Sequence, residues 1–166
     1  MINLTNADGH KLKIEILDYE FPNREDTGGI PTPEQLEELE DGRDYDANWL
    51  MMRFTGFNGE QTWEATDPCL LTWEVESILD WFVRMAEGIE PENISPTMFF
   101  LEPCFTLYQH HNDDDTYRIR FALSFELAPP DEQRGAEYYM DFTLTRDEIA
   151  QMTNGIAEAL SRFPAR

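Results

Sequence analysis

Positive charge is the scarcest property of this sequence. Its 166 residues include 12 Lys+Arg against 34 Asp+Glu, so the formal net charge is −22 at pH 7 with the three histidines neutral. Binding to nucleic acid or to anionic lipid depends on Lys and Arg side chains that displace counterions. The sequence therefore predicts that neither nucleic acid nor a membrane surface is a partner. Either a basic macromolecule is the electrostatic complement, or the charge serves only solubility.

Long apolar runs are missing as well. No apolar segment approaches the ~20 residues that span a bilayer, and Met1 to Asn6 lack the basic stretch and apolar core of a signal peptide. We therefore expect a cytoplasmic protein. Hydrophobic residues still make up 41% of the chain and aromatic residues 13%, which is enough for a buried core. The length predicts one α+β domain over residues 1–166.

Cysteine is also rare, with Cys69 and Cys104 as the only two. Each directly follows a proline, and the pair lacks the spacing of a CxxC motif. We predict two small, partly buried free thiols in a reducing compartment. A disulfide between them would require Cα atoms within about 7 Å, a distance that spacing along the chain does not define.

Catalytic and cofactor motifs are absent from the sequence. No serine lies in a Gly-x-Ser-x-Gly turn, and no glycine-rich segment matches a phosphate-binding loop. Metal-ligand residue types cluster at His110-His111 and Asp113 to Asp115, but adjacent strand residues point to opposite faces. We predict a non-enzymatic protein with no catalytic residue, cofactor or metal, and keep as an alternative a metal-assisted hydrolase that uses this cluster.

Hydrophobic periodicity predicts an α+β fold without regular βαβ alternation. Asp8-Gly9 and Asn58-Gly59 are typical of tight hairpin turns. The predicted strands are 2–6, 11–21, 49–57, 61–65, 97–101, 105–110, 117–127 and 137–143, and the predicted helices are 72–87 and 146–162. Thr145 and Glu148 form a capping box for the second helix. We expect an antiparallel twisted sheet of about 6–8 strands with both helices packed on one face.

Residues 23–46 form an acidic excursion between the predicted elements. Glycine, proline and carboxylates replace the alternating pattern, and a helix of a turn or two is predicted around Pro33 to Glu40, with Thr32 as its cap. The excursion is either a solvated loop or an electrostatic docking surface. Together with the outer face of helix 72–87 it supplies the candidate partner-binding residues, which are Glu34, Glu37, Glu38, Glu40, Asp41, Asp44, Glu76 and Asp80.

The four tryptophans are predicted to pack in the core, with Trp73 the most exposed because it lies near a helix start. Arg118 and Arg120 share the polar face of strand 117–127. In a chain with so few cations, we expect them to pair with local carboxylates or to contact an acidic patch of a partner.

Three blocks in the first half of the chain resemble the WapI-like bacterial immunity proteins. They are Tyr19-x-Phe21-Pro22, Asp46-x-Asn48-Trp49-Leu50 and Asp67-Pro68-Cys69-Leu70-x-Thr72, in that order. These are small cytoplasmic proteins associated with polymorphic, contact-dependent toxin systems. The resemblance implies a protein that binds and blocks a cognate toxin, often a nuclease, and implies structural roles for Trp49, Trp63 and the Asp67-Pro68-Cys69 block.

Two hypotheses for function follow. The first is an immunity protein whose carboxylates bind a basic toxin and cover its active surface. The second is an acidic interaction or scaffold module for a cellular protein or ligand.

Overall fold

Two antiparallel sheets and three helices make up the computed structural model, which describes residues 1–23, 26, 28, 30–37, 42–132 and 137–166. The first sheet has the order β1-β2-β3-β4 and the second β5-β6-β7-β8. The strands are β1 (Ile2–Thr5), β2 (Lys11–Tyr19), β3 (Trp49–Phe57), β4 (Thr62–Leu71), β5 (Thr97–Phe99), β6 (Phe105–His111), β7 (Tyr117–Leu123) and β8 (Tyr138–Leu144). The helices are α1 (Pro33–Glu37), α2 (Thr72–Ala86) and α3 (Arg146–Arg162).

The α+β class is confirmed, but the prediction of one sheet is wrong. Helix α2 separates two sheets of four strands, and in each sheet every strand pairs with its neighbour in sequence. The sheets meet in one core, where the rings of Phe54 and Phe105 are 5.4 Å apart and those of Trp63 and Tyr138 are 5.6 Å apart. An alternating pattern identifies the buried face of a strand, but it does not say whether a helix or another sheet covers that face.

Strand β4 is longer than the predicted strand 61–65 and continues through Pro68 to Leu71. Proline has no backbone N–H to donate, but β4 is the outermost strand of its sheet, where one side of the ladder needs no donor. A bulge leaves Cys69 without a partner opposite it, because Leu50 pairs with Leu70 while Met51 pairs with Pro68. The bulge and the edge position explain why Asp67-Pro68 does not end the strand.

Strand β7 is shorter than the predicted strand 117–127 and ends at Leu123. Leu123 pairs with the first residue of β6 and the first residue of β8, so neither neighbour extends past it. Phe125 then takes a φ of 52° and is 54% exposed. The chain forms a 3-10 turn at Phe125–Leu127, where the Leu127 carbonyl accepts a hydrogen bond of 2.9 Å from the Trp63 indole N–H.

The predicted helices 72–87 and 146–162 are confirmed, and the observed bounds of α2 and α3 differ from them by at most one residue. Helix α2 buries one face, which carries Val75, Ile78, Phe82 and Met85. Helix α3 has the predicted capping box, in which the Thr145 backbone N–H donates to Glu148 Oε2 at 2.8 Å and the Glu148 N–H donates to Thr145 Oγ1 at 3.3 Å. Within the described ranges, no helix combines the length and the apolar character needed to cross a bilayer.

The two thiols are free, as predicted, but fully buried rather than partly buried. Cys69 lies at the bulge of β4, and Cys104 precedes β6 in the second sheet. Their side chains are close enough to hydrogen-bond, and this contact together with burial raises the pKa of Cys69 well above its ordinary value of 9.0. The thiols therefore join the two sheets as small apolar groups.

Arg166 anchors both ends of the acidic excursion. Its guanidinium donates hydrogen bonds to the carbonyls of Phe21, Pro22 and Ala47 at 2.7–3.0 Å, and lies 3.5 Å from the centre of the Tyr19 ring. Its backbone N–H donates to Asn48 Oδ1 at 2.9 Å. The segments before and after the excursion are therefore held side by side.

The outer face of the second sheet carries Arg118 and Arg120. Arg120 makes a bidentate ion pair with Asp141, directly opposite on β8, with N–O distances of 2.7 and 2.8 Å. Its guanidinium also lies 4.7 Å from the centre of the Tyr139 ring. Pairing with a local carboxylate is therefore confirmed for Arg120. Arg118 is exposed and makes no ion pair within 4.0 Å with any described residue.

Replacing Gly56 by Ala is expected to destabilise the fold. A Cβ at this position would lie 2.2 Å from the Trp63 ring, which packs over the glycine from the opposite strand. Overpacking of this kind costs about 1–3 kcal/mol. Urea denaturation should show that loss for Gly56→Ala and a smaller loss when the same change is made in a Trp63→Phe background. Equal losses in the two backgrounds would contradict the contact.

The Arg120–Asp141 pair predicts a pH-dependent contribution to stability. The Arg120 guanidinium holds the pKa of Asp141 below its ordinary value of 3.8. A lowered carboxyl pKa stabilises the fold above the unfolded-state pKa, and that stabilisation disappears as the pH falls through the folded-state pKa. The difference in unfolding free energy between the wild type and Asp141→Asn should therefore shrink between about pH 6 and about pH 2. A difference that stays constant over this range would refute the prediction.

Candidate partner-binding groove

A groove of about 730 Å³ runs along the outer side of α2. Strand β5 and the 3-10 turn Pro91–Asn93 form its other wall. We call it the α2 groove, and its lining residues are Arg43, Trp73, Glu76, Ser77, Asp80, Trp81, Arg84, Asn93, Ser95, Thr97, Met98 and Phe99. It combines carboxylates with aromatic side chains, a combination suited to binding a basic protein surface.

Trp73 occupies one end of the α2 groove and is half-buried, as its position near the helix start predicts. The Tyr45 ring meets the indole edge-on, with centroids 5.1 Å apart. The Arg43 guanidinium lies 5.0 Å from the centre of the indole ring. Trp81 is buried deeper in the same groove and donates its indole N–H to the Ser95 carbonyl at 2.8 Å.

Glu74 connects the start of α2 to the segment that follows β5. One oxygen of its carboxylate accepts from the Leu71 N–H at 2.9 Å, and the other accepts from the Leu101 N–H at 2.7 Å. Burial raises the pKa of Glu74 above its ordinary value of 4.5, although both backbone hydrogen bonds oppose the shift. This carboxylate therefore ties the start of α2 to the segment that presents Phe99 and Leu101, which are 76% and 58% exposed.

A second groove, of about 350 Å³, adjoins the first. The two share three lining residues, Arg43, Trp73 and Glu76. The second groove adds Asp44, the exposed side chain of Ile30 and the anchored Arg166. The end of the acidic excursion and the outer face of α2 therefore form one continuous surface.

Three of the eight predicted partner-binding residues lie on this surface. Asp44 lines the second groove, Asp80 the α2 groove, and Glu76 both. Glu34 and Glu37 are exposed on α1 and line neither groove. The other three, which lie outside the described residues, are Glu38, Glu40 and Asp41.

Arg43 and Phe99 also belong to this surface, although neither is among the predicted partner-binding residues. Arg43 is an isolated base among acids in the sequence, and no local pattern indicates its contact with Trp73. Phe99 is the last residue of β5, and Phe100 after it packs inward on Phe105 with ring centroids 5.3 Å apart. Met98 packs against the core, and adjacent strand residues face opposite sides, so Phe99 faces outward.

The two histidines lie on opposite sides of β6, as predicted. His110 shares the outer sheet face with Arg118 and Arg120. His111 Nε2 lies 3.0 Å from Asp115 Oδ1, which also accepts from Arg146 at 2.7 Å. Both contacts lower the pKa of Asp115 below its ordinary value, and the contact with His111 has the larger effect. The described part of the chain contains no group of three or more His, Cys, Asp and Glu side chains placed to hold a metal ion.

Comparison with protein-family models places this chain in a family. The model of the Immunity protein WapI-like family matches residues 1–164. The match therefore extends past the three blocks of the first half and covers the second sheet and α3. Comparison with curated protein sequences gives no significant match.

Replacing Glu74 by Ala should destabilise the protein far more than replacing Glu76. Glu74→Ala leaves the Leu71 and Leu101 N–H groups without their acceptor, which costs about 1–3 kcal/mol. Glu76 is exposed on the same helix, so Glu76→Ala should stay within about 0.5 kcal/mol of the wild type. Urea denaturation at neutral pH measures both variants. Indistinguishable midpoints for the two would show that the Glu74 hydrogen bonds to Leu71 and Leu101 do not stabilise the fold.

Proposed function

Because the chain belongs to the Immunity protein WapI-like family, we propose that it is an immunity protein that binds a cognate toxin and blocks it. The protein acts in the cytoplasm of the cell that produces it. It works by binding rather than by catalysis.

The α2 groove is the observation that supports a binding surface. It brings Glu76 and Asp80 together with Trp73 and a strongly exposed Phe99. Protein interfaces draw most of their affinity from a few large side chains, with aromatic residues enriched among them. The surrounding carboxylates supply specificity and speed of association.

The charge of the protein supports a basic toxin as the partner. A net charge of −22 attracts a basic surface over a long range and accelerates encounter by about ten- to a thousandfold. A toxin that cleaves nucleic acid needs cations to hold the phosphates of its substrate. The groove carboxylates would pair with such cations and cover the surface that the substrate needs, so a nuclease is the toxin class we propose.

Co-expression tests the proposal. The gene should neighbour a toxin gene, and expressing the two together should restore growth of cells that the toxin alone kills. Survival unchanged by this protein, or the absence of any neighbouring toxin gene, would refute the proposal.

Charge reversal in the groove should weaken the complex. We expect Glu76→Lys/Asp80→Lys to lower affinity for the toxin at least about tenfold, mainly through slower association. The matched control is Asp8→Lys/Glu60→Lys, which makes the same charge change in the two hairpin turns of the first sheet. Both turns adjoin Phe57, the last residue of β3, whereas the start of α2 adjoins Trp49, the first residue of β3. The nine residues of β3 separate the two ends by about 27 Å.

Surface plasmon resonance at low and physiological ionic strength separates the local effect from the global one. The wild-type association rate should fall severalfold with salt. The control variant should show only the decrease in association rate that its change in net charge causes. An equal decrease for both double variants would show that the total charge, and not the α2 groove, determines the association rate.

A further inference from the structure

The Trp73 indole already holds a cation in the folded chain. The guanidinium carbon of Arg43 lies 5.0 Å from the centre of the ring, within the range of a cation–π contact. The Tyr45 ring stands edge-on against the same indole, with centroids 5.1 Å apart. The Trp73 face therefore forms the apolar wall of the place where this guanidinium lies, and Tyr45 packs against the edge of that indole.

Carboxylates line the grooves that meet at this indole. Asp44 and Glu76 line the second groove together with Trp73 and Arg43, and Glu76 also lines the α2 groove. Asp44 Oδ1 accepts from the Ala47 N–H at 3.1 Å, which holds this side chain beside the start of the next turn. A flat aromatic face with carboxylates beside it suits arginine better than lysine. The planar guanidinium can stack on the ring while its N–H groups donate to carboxylate oxygens.

We propose that Trp73, Asp44 and Glu76 form a subsite for an arginine side chain of the partner, with Tyr45 supporting the indole, and that Arg43 occupies this subsite in the free protein. The inference rests on the proposed function only in taking the partner to be a basic protein. On binding, the partner's arginine displaces Arg43 from the indole.

Self-occupancy has a measurable consequence. A ligand that binds only the open form shows an affinity reduced by the fraction of molecules in which the subsite is open. The strength typical of a cation–π contact predicts that removing Arg43 raises affinity for an arginine ligand by roughly 3- to 30-fold. Removing a residue that merely stabilises the loop would raise no affinity.

The experiment uses the full chain and small probes instead of a toxin. N-acetyl-arginine amide is titrated into wild type and Arg43→Ala, and the Trp73 indole N–H signal is followed by NMR after its assignment with Trp73→Phe. The neutral isostere N-acetyl-citrulline amide and N-acetyl-lysine amide are the ligand controls. We expect arginine to bind Arg43→Ala more tightly than the wild type, lysine to bind more weakly than arginine, and citrulline to leave the signal unchanged.

Two further variants keep the outcome decisive. Arg43→Gln retains a long polar side chain and should show the same gain as Arg43→Ala, so a folding defect in one variant does not obscure the result. Adding Glu76→Gln to Arg43→Ala should reverse much of the gain. Equal affinity of the wild type and both Arg43 variants, or equal binding of citrulline and arginine, would overturn the subsite. No toxin takes part in this titration. A negative titration would therefore overturn the arginine subsite without affecting the co-expression result, and a negative co-expression result would not affect the arginine subsite.

Discussion

Phe105 packs against Phe54 of the first sheet and Phe121 of its own, with ring centroids 5.4 and 6.2 Å apart. These contacts join two four-stranded sheets, each of which has one apolar face to bury. Phe100, the residue after β5, stacks on Phe105. Met98 of β5 also packs against this core. Because neighbouring residues of a strand face opposite sides, the inward position of Met98 turns Phe99 outward to the rim of the α2 groove. The shared core thus determines where the exposed aromatic of the groove lies.

The charges divide between structural and exposed roles. Glu15 lies between Lys13 and Arg53 on the first sheet, and Asp141 pairs with Arg120 on the second, so several cations meet carboxylates on the outer sheet faces. The Glu74 carboxylate accepts hydrogen bonds from two backbone N–H groups of the chain itself. Glu76, two residues further along, keeps its carboxylate exposed in the grooves. Position relative to the core, rather than residue type, separates the structural acid from the exposed one.

Local patterns predicted the elements well and their assembly poorly. The turn residues at Gly9 and Gly59 and the apolar stripe of α2 depend on neighbours within a few residues, so hairpins and helices were correctly placed. The ends of β4 and β7 depend on other strands. Pro68 is tolerated because β4 lies at a sheet edge, and β7 stops where β6 and β8 stop. Neither condition is visible in a local pattern. A local pattern also does not show which strands share a sheet, so it does not distinguish one sheet from two.

The sequence by itself determined the charge of −22, the helix faces and the three blocks shared with the WapI-like family. Only the tertiary structure decided which carboxylates lie together. Asp44 and Glu76 are 32 positions apart in the chain, and they line one groove because Arg166 ties down the ends of the excursion beside the start of α2. Composition counts charges, but the distance between them depends on contacts formed between residues far apart in sequence, which only the folded chain brings together.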